Sequence, residues 1–175
     1  MGLFSRRSRE KRAGADGESR REPAPVQAPP VELPEDGRPV SAPLSEVDRS
    51  RIARGLDTLA ERGVDVDDLA AVGAAYDLAF AEARRGDGQS AAELVELFGV
   101  AIGEHLARHS ARGWAVVTDV FGTDLGLVDA RGDTVVVPHN LVGARWMRGE
   151  VGWIPGVVGH LVTLVPRTAR PPNDT

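Results

Sequence analysis

The spacing of apolar residues changes abruptly at Gly113. Before it, Ile52, Leu56 and Leu59, then Leu69, Val72, Tyr76, Phe80 and Ala83, then Leu94, Leu97, Phe98, Ala101, Ile102 and Leu106 recur every three or four residues. That spacing lines one face of a helix. After it, Trp114, Val116, Thr118 and Val120 alternate with Ala115, Val117, Asp119 and Phe121, the period of a strand. Helices and strands segregated along a chain, rather than alternating, predict an α+β fold instead of a parallel wound sheet.

Punctuation sets the expected boundaries. Ser45 ahead of Glu46-Val47-Asp48 caps a helix over 46–62, Asp67 or Asp65 caps a second that ends at Gly86-Asp87-Gly88, and Ser90 with Glu93 forms a capping box for a third, stopped by Gly113. Gly122-Thr123 suits a two-residue type II′ turn, and Ala130-Arg131-Gly132 a three-residue loop leading into Thr134 to Val137, giving a three-stranded antiparallel meander. Asn140 caps a short helix over Leu141 to Arg148 closed by Gly149, and Pro155 starts a last one, where the β-branched residues also permit a strand. The expected fold is therefore N-terminal helices packed on a small antiparallel β-meander, followed by one or two C-terminal helices.

Residues 1–43 hold seven of the twelve prolines and few large apolar side chains, so they are expected to be a disordered tail, basic first and Pro-rich after. Residues 44–166 form one α+β domain in this reading, and 167–175 a disordered polar end. Arg6, Arg7, Arg9, Lys11 and Arg12 make the tail a solvated segment, capable at most of weak docking on an anionic membrane surface together with Leu3 and Phe4. Residues 44–175 carry 13 basic and 19 acidic residues, which argues against nucleic acid as a partner. Gly2-Leu3-Phe4 is broken at once by Ser5-Arg6-Arg7, and Ile154 to Val165 is too short to span a bilayer, so neither export nor a membrane span is expected. The absence of cysteine excludes thiolate metal sites, disulfides and a cysteine nucleophile, and fits a cytoplasmic protein.

Three segments in combination, Leu97-Phe98-Gly99-Val100-Ala101-Ile102-Gly103-Glu104-His105-Leu106, then Gly113-Trp114 with Thr118-Asp119 and Gly122-Thr123-Asp124-Leu125, then Val137-Pro138-His139-Asn140-Leu141-Val142-Gly143-Ala144-Arg145-Trp146, resemble DUF3806, a small bacterial domain of unknown function. The resemblance covers about residues 70–165. It implies a compact α+β domain in a cytosolic protein and lends no activity, cofactor or site.

His105 and His109 share a helix face at i and i+4, as a zinc pair would, but Leu106 stands where a metalloprotease needs Glu, and a third ligand would have to come from His139 or His160. Two surface histidines at the negative end of the helix dipole explain the pair without metal, so no metal or other cofactor is expected. Of Asp119, Asp124, Asp129 and Asp133, three flank hairpin turns, where aspartate bonds local backbone, while Asp119 lies mid-strand beside Val117 and Phe121 on one face, and the four lack calcium-loop spacing. No nucleophile elbow, phosphate loop or dinucleotide fingerprint occurs. Trp114, Trp146, Trp153, Tyr76, Phe80, Phe98 and Phe121 read as one core cluster. Asp119, His139, Asn140, Arg145 and Arg148 remain as a candidate interaction patch, with no catalytic residue assigned. The sequence favours a noncatalytic interaction or accessory domain with an unidentified protein partner. The alternative is a small-ligand-binding protein or enzyme with a pocket between sheet and helices, lined by Asp119, His139 and Arg145.

Overall fold

The computed structural model describes residues 38–130, 132 and 135–164. Helix α1 (Glu46–Glu61) starts at the expected Ser45 cap, which the structure completes as a capping box: Ser45 Oγ accepts the Asp48 N–H at 3.2 Å and the Asp48 carboxylate accepts the Ser45 N–H at 2.9 Å. Helix α2 (Leu69–Arg84) is capped by Asp68, whose Oδ1 accepts from the Ala70 and Ala71 amides. The expected caps serve otherwise, since Asp65 Oδ1 accepts the Asp67 N–H at 2.9 Å in the preceding turn and leaves the Asp67 side chain free for α3 (Ala91–His109). Helix α3 begins at the Ser90/Glu93 box, as expected.

The strands β1 (Val40–Ala42), β2 (Arg112–Asp119), β3 (Gly122–Asp129) and β4 (Val135–Val136) form one antiparallel sheet in chain order. The β2–β3 pairing runs as far as Asp119 opposite Gly122, so the turn residues are Val120 and Phe121, not Gly122 and Thr123. Asp119 decides this, because its Oδ1 accepts the Phe121 N–H at 2.7 Å and closes a side-chain-driven turn two residues early. Strand β1, paired with β2 at Val40 opposite Thr118, adds a fourth strand inside the segment expected to be tail. Main-chain pairing along an open sheet edge needs no apolar side chains, which is why composition hid it. The remainder of that expected tail, residues 1–37, and the expected polar end, 167–175, lie outside the described residues.

Helix α4 (Pro138–Arg148) starts with Pro138 in its first turn, where a missing N–H costs nothing, rather than with Asn140 as cap, and Gly149 closes it at φ 70°. Helix α5 (Ile154–Thr163) begins around Pro155, which decides the choice left open between helix and strand.

Helix α3 is the axis of the core. It packs against α1, α2, α4, α5, β2 and β3, and Leu94, Leu97, Phe98, Val100, Ala101, Ile102 and Leu106 are all buried. Tyr76 is fully buried among rings, edge-on to Phe98 at 5.4 Å, Trp153 at 5.7 Å and Trp146 at 6.3 Å, with its hydroxyl donating to the Glu150 carbonyl at 3.3 Å. Each such large buried side chain is worth about 1.5–3 kcal/mol relative to exposure. One of the seven aromatics expected in that cluster lies elsewhere. Trp114 is half-buried and packs on the cluster from the sheet side of α3, whereas Phe121, carried onto the turn by the early closure at Asp119, is 92% exposed.

The glycines of the Phe98-Gly99-x-x-x-Gly103 segment are spaces for rings. A Cβ on Gly99 would overlap the His139 imidazole, and one on Gly103 would overlap the Trp114 indole, whose Nε1 donates to Glu104 Oε2 at 3.1 Å. One helical face thus receives α4 through His139 and β2 through Trp114, four residues apart on the same stripe.

Candidate functional site

His139, one residue past the Pro138 that opens α4, is held against Gly99 and is only 6% exposed. Three charged groups from three other elements converge on it: Glu96 from α3, Asp124 from β3 and Arg51 from α1. Arg51 clasps the Glu96 carboxylate with Nε and Nη2 and reaches Asp124 with Nη1 at 4.0 Å. His139 Nε2 lies 3.5 Å from Glu96 Oε2 and Nδ1 lies 3.7 Å from Asp124 Oδ1, ion-pair distances rather than short hydrogen bonds. Burial dominates the electrostatics and lowers the His139 pKa, with Asp124 and Glu96 pulling the other way and Arg51 adding to the fall. The Arg51 hydrogen bond holds Glu96 below the ordinary carboxylate range and raises Arg51 itself. The cluster is therefore a neutral imidazole beside a tight ion pair and a second carboxylate.

Two pockets flank it. A pocket of about 140 Å³ at the β2–β3 hairpin end is lined by Asp119, Phe121, Thr123, Asp124, Val137 and Asn140. A second of about 260 Å³ lies between α1 and α3, with Arg51, Arg54, Thr58, Glu93 and Glu96 on its walls. Both fall below the roughly 300–1,000 Å³ that enclose drug-sized ligands.

The candidate patch read from the sequence divides into two groups. Asp119, Asn140 and His139 gather at the hairpin end and the start of α4. Arg145 and Arg148 lie at the other end of α4: Arg145 stacks over Trp153 at 4.7 Å and faces Glu150 at 3.5 Å, and the exposed Arg148 reaches the same carboxylate at 3.6 Å. Arg145 consequently lines neither pocket. Arg51, Glu96 and Asp124 escaped the sequence reading as a group because helical spacing places Arg51 and Glu96 on solvent faces, and only tertiary packing brings them to His139.

The histidine pair of α3 also differs from expectation. His105 is buried, 6% exposed, with Nδ1 2.8 Å from the Val66 carbonyl, whereas His109 is half-exposed with Nε2 2.9 Å from Asp67 Oδ1. The imidazoles lie 4.4 Å apart, and one donor atom each from Asp67, His105 and His109 falls within 4.8 Å of the others. The neighbour that completes the trio is Asp67, not His139 or His160 as the sequence suggested. No helix among the described residues is long and apolar enough to cross a membrane.

Among the described residues, five helices and a four-stranded antiparallel sheet, with no alternating strand–helix winding, define an α+β domain. Residues 80–155 match the model of DUF3806, a domain of unknown function, so the chain carries a DUF3806-like domain. The matched span contains the Gly99/Gly103 helix, the β2–β3 hairpin and all of α4. Neither a curated protein nor a solved structure matches the chain.

Proposed function

We propose that this protein is a noncatalytic cytoplasmic interaction domain whose contact element is the β2–β3 hairpin end, and that its partner is a protein with an apolar socket rimmed by basic side chains. The observation that carries the proposal is Phe121, 92% exposed at the tip of a turn that Asp119 locks, beside Val120 at 65%. Large exposed aromatics on a rigid support are the usual anchors of protein interfaces. The acidic groups Asp119 and Asp124 flank the tip, and residues 44–175 carry six more acidic than basic residues, so the complementary rim is basic. A chain without cysteine suits the reducing cytoplasm. Against catalysis stands the Glu96 carboxylate beside His139, which is already held by Arg51.

One observation favours a second reading, that of a small-ligand-binding protein: His139 is a buried imidazole without a short hydrogen bond, next to the polar notch of Asp119, Thr123, Asp124 and Asn140. A notch of that size takes a ligand of only a few heavy atoms.

A photo-reactive phenylalanine analogue at position 121 tests the first reading in the cells that make the protein. A discrete adduct mapping to an apolar socket edged by Lys or Arg supports it. No adduct, or adducts spread evenly over abundant proteins, speaks against it.

A further inference from the structure

We infer that Asp67, His105 and His109 bind a divalent cation of the zinc class, a site separate from the hairpin end. The three come from two places in the chain. Asp67 sits in the turn before α2, freed for this by the cap at Asp68, and the histidines occupy successive turns of α3, on the face that meets that turn. One donor atom from each lies within 4.8 Å of the other two, so small side-chain rotations bring all three to the spacing of a tetrahedral zinc centre with about 2.0–2.2 Å bonds. The donor set, two imidazoles and a carboxylate, matches the three protein ligands of zinc sites that keep a fourth position for water. Asp67 and His109 are each more than two-fifths exposed, which leaves that position open to solvent.

The surroundings orient the donors. A carbonyl can only accept, so the 2.8 Å contact of His105 Nδ1 with the Val66 oxygen fixes the proton on Nδ1 and leaves the Nε2 lone pair for the metal. This is the outer hydrogen bond that metal-binding histidines ordinarily make, and it holds a ring that is 94% buried in one orientation. No other hydrogen bond to that imidazole exists among the described residues, and its ring lies 4.4 Å from that of His109. Arg108 Nη1 binds Asp67 Oδ2 at 2.9 Å, turning Oδ1 toward His109. Glu104 accepts from Arg108 Nε at 2.9 Å and offsets the guanidinium charge that a cation would otherwise meet. With metal bound, the Asp67–His109 hydrogen bond gives way to two coordinate bonds, and the turn before α2 is stapled to the end of α3.

Equilibrium dialysis of the full, untagged chain against micromolar zinc, with metal counted by atomic emission, tests the site, and cobalt absorption in the visible reports its geometry. The expected result is one equivalent bound with a tetrahedral cobalt spectrum, and affinity at least about tenfold lower in Asp67→Asn and in His109→Ala. Both positions are half-exposed, so these variants fold, and a His160→Ala control retains the metal. Less than stoichiometric uptake by the wild type, or uptake unchanged in both variants, overturns the inference and leaves Asp67 and His109 as a hydrogen-bonded pair.

Discussion

The His139 imidazole rests on the α-carbon of Gly99, in the volume that any side chain at that position would occupy. This contact joins α4 to α3 and places His139 among Arg51, Glu96 and Asp124.

Gly99→Ala should lower stability by about 1–3 kcal/mol, the range for overpacking, even though alanine gains about 1 kcal/mol of helix propensity over glycine. Gly143→Ala is the internal control. Its Cβ would meet nothing closer than Val95 Cγ1 at 3.9 Å, so the propensity gain survives and the variant should be stabilised by up to about 1 kcal/mol. Urea midpoints of the two variants separate a steric requirement at Gly99 from a general tolerance of glycine in these helices. Equal shifts in the same direction would refute it.

Trp114→Ala should cost about 3 kcal/mol, the lower end for a large aromatic because the ring is half-buried. The loss comprises the packing on Gly103 and the hydrogen bond to Glu104. Urea unfolding measures it, and a near-wild-type midpoint would move Trp114 from the helix–sheet junction to the surface.

Stability should depend on pH through His139. Burial holds its pKa below the ordinary 6.5, so the native chain stays neutral where the unfolded chain takes a proton. The associated stability is present above about pH 6.5 and is lost as pH falls from there toward the folded-state value. Urea midpoints from about pH 7 to about pH 5 should decline in the wild type and decline less steeply in His139→Gln. Direct NMR titration of the imidazole gives the folded value, and one at or above 6.5 would contradict the burial argument.

What the sequence made legible was local. The N-cap at Ser45, the capping box at Ser90/Glu93 and the start of α5 at Pro155 depend on residues within a few positions of each other, and they appear where the pattern puts them. The three aspartates Asp65, Asp67 and Asp68 all satisfy a cap pattern, and only the backbone chooses among them. The turn at Val120-Phe121 was misplaced because a glycine signal and an aspartate signal compete two residues apart, and the side-chain bond of Asp119 wins. β1 was hidden because its partner strand is distant in sequence. The site residues were legible singly, as with His139, Asp119 and Asn140, but not as a constellation, since Arg51 and Glu96 reach His139 only through the packing of α1 and α4 on α3.

The interaction role stands or falls on Phe121. Phe121→Ser should leave the urea midpoint within about 0.5 kcal/mol of wild type, because the ring touches solvent rather than core. The partner identified by cross-linking at this position should then lose affinity by about 2 kcal/mol or more when titrated against the variant by calorimetry. Unchanged affinity in a folded variant would contradict the hairpin end as the contact element.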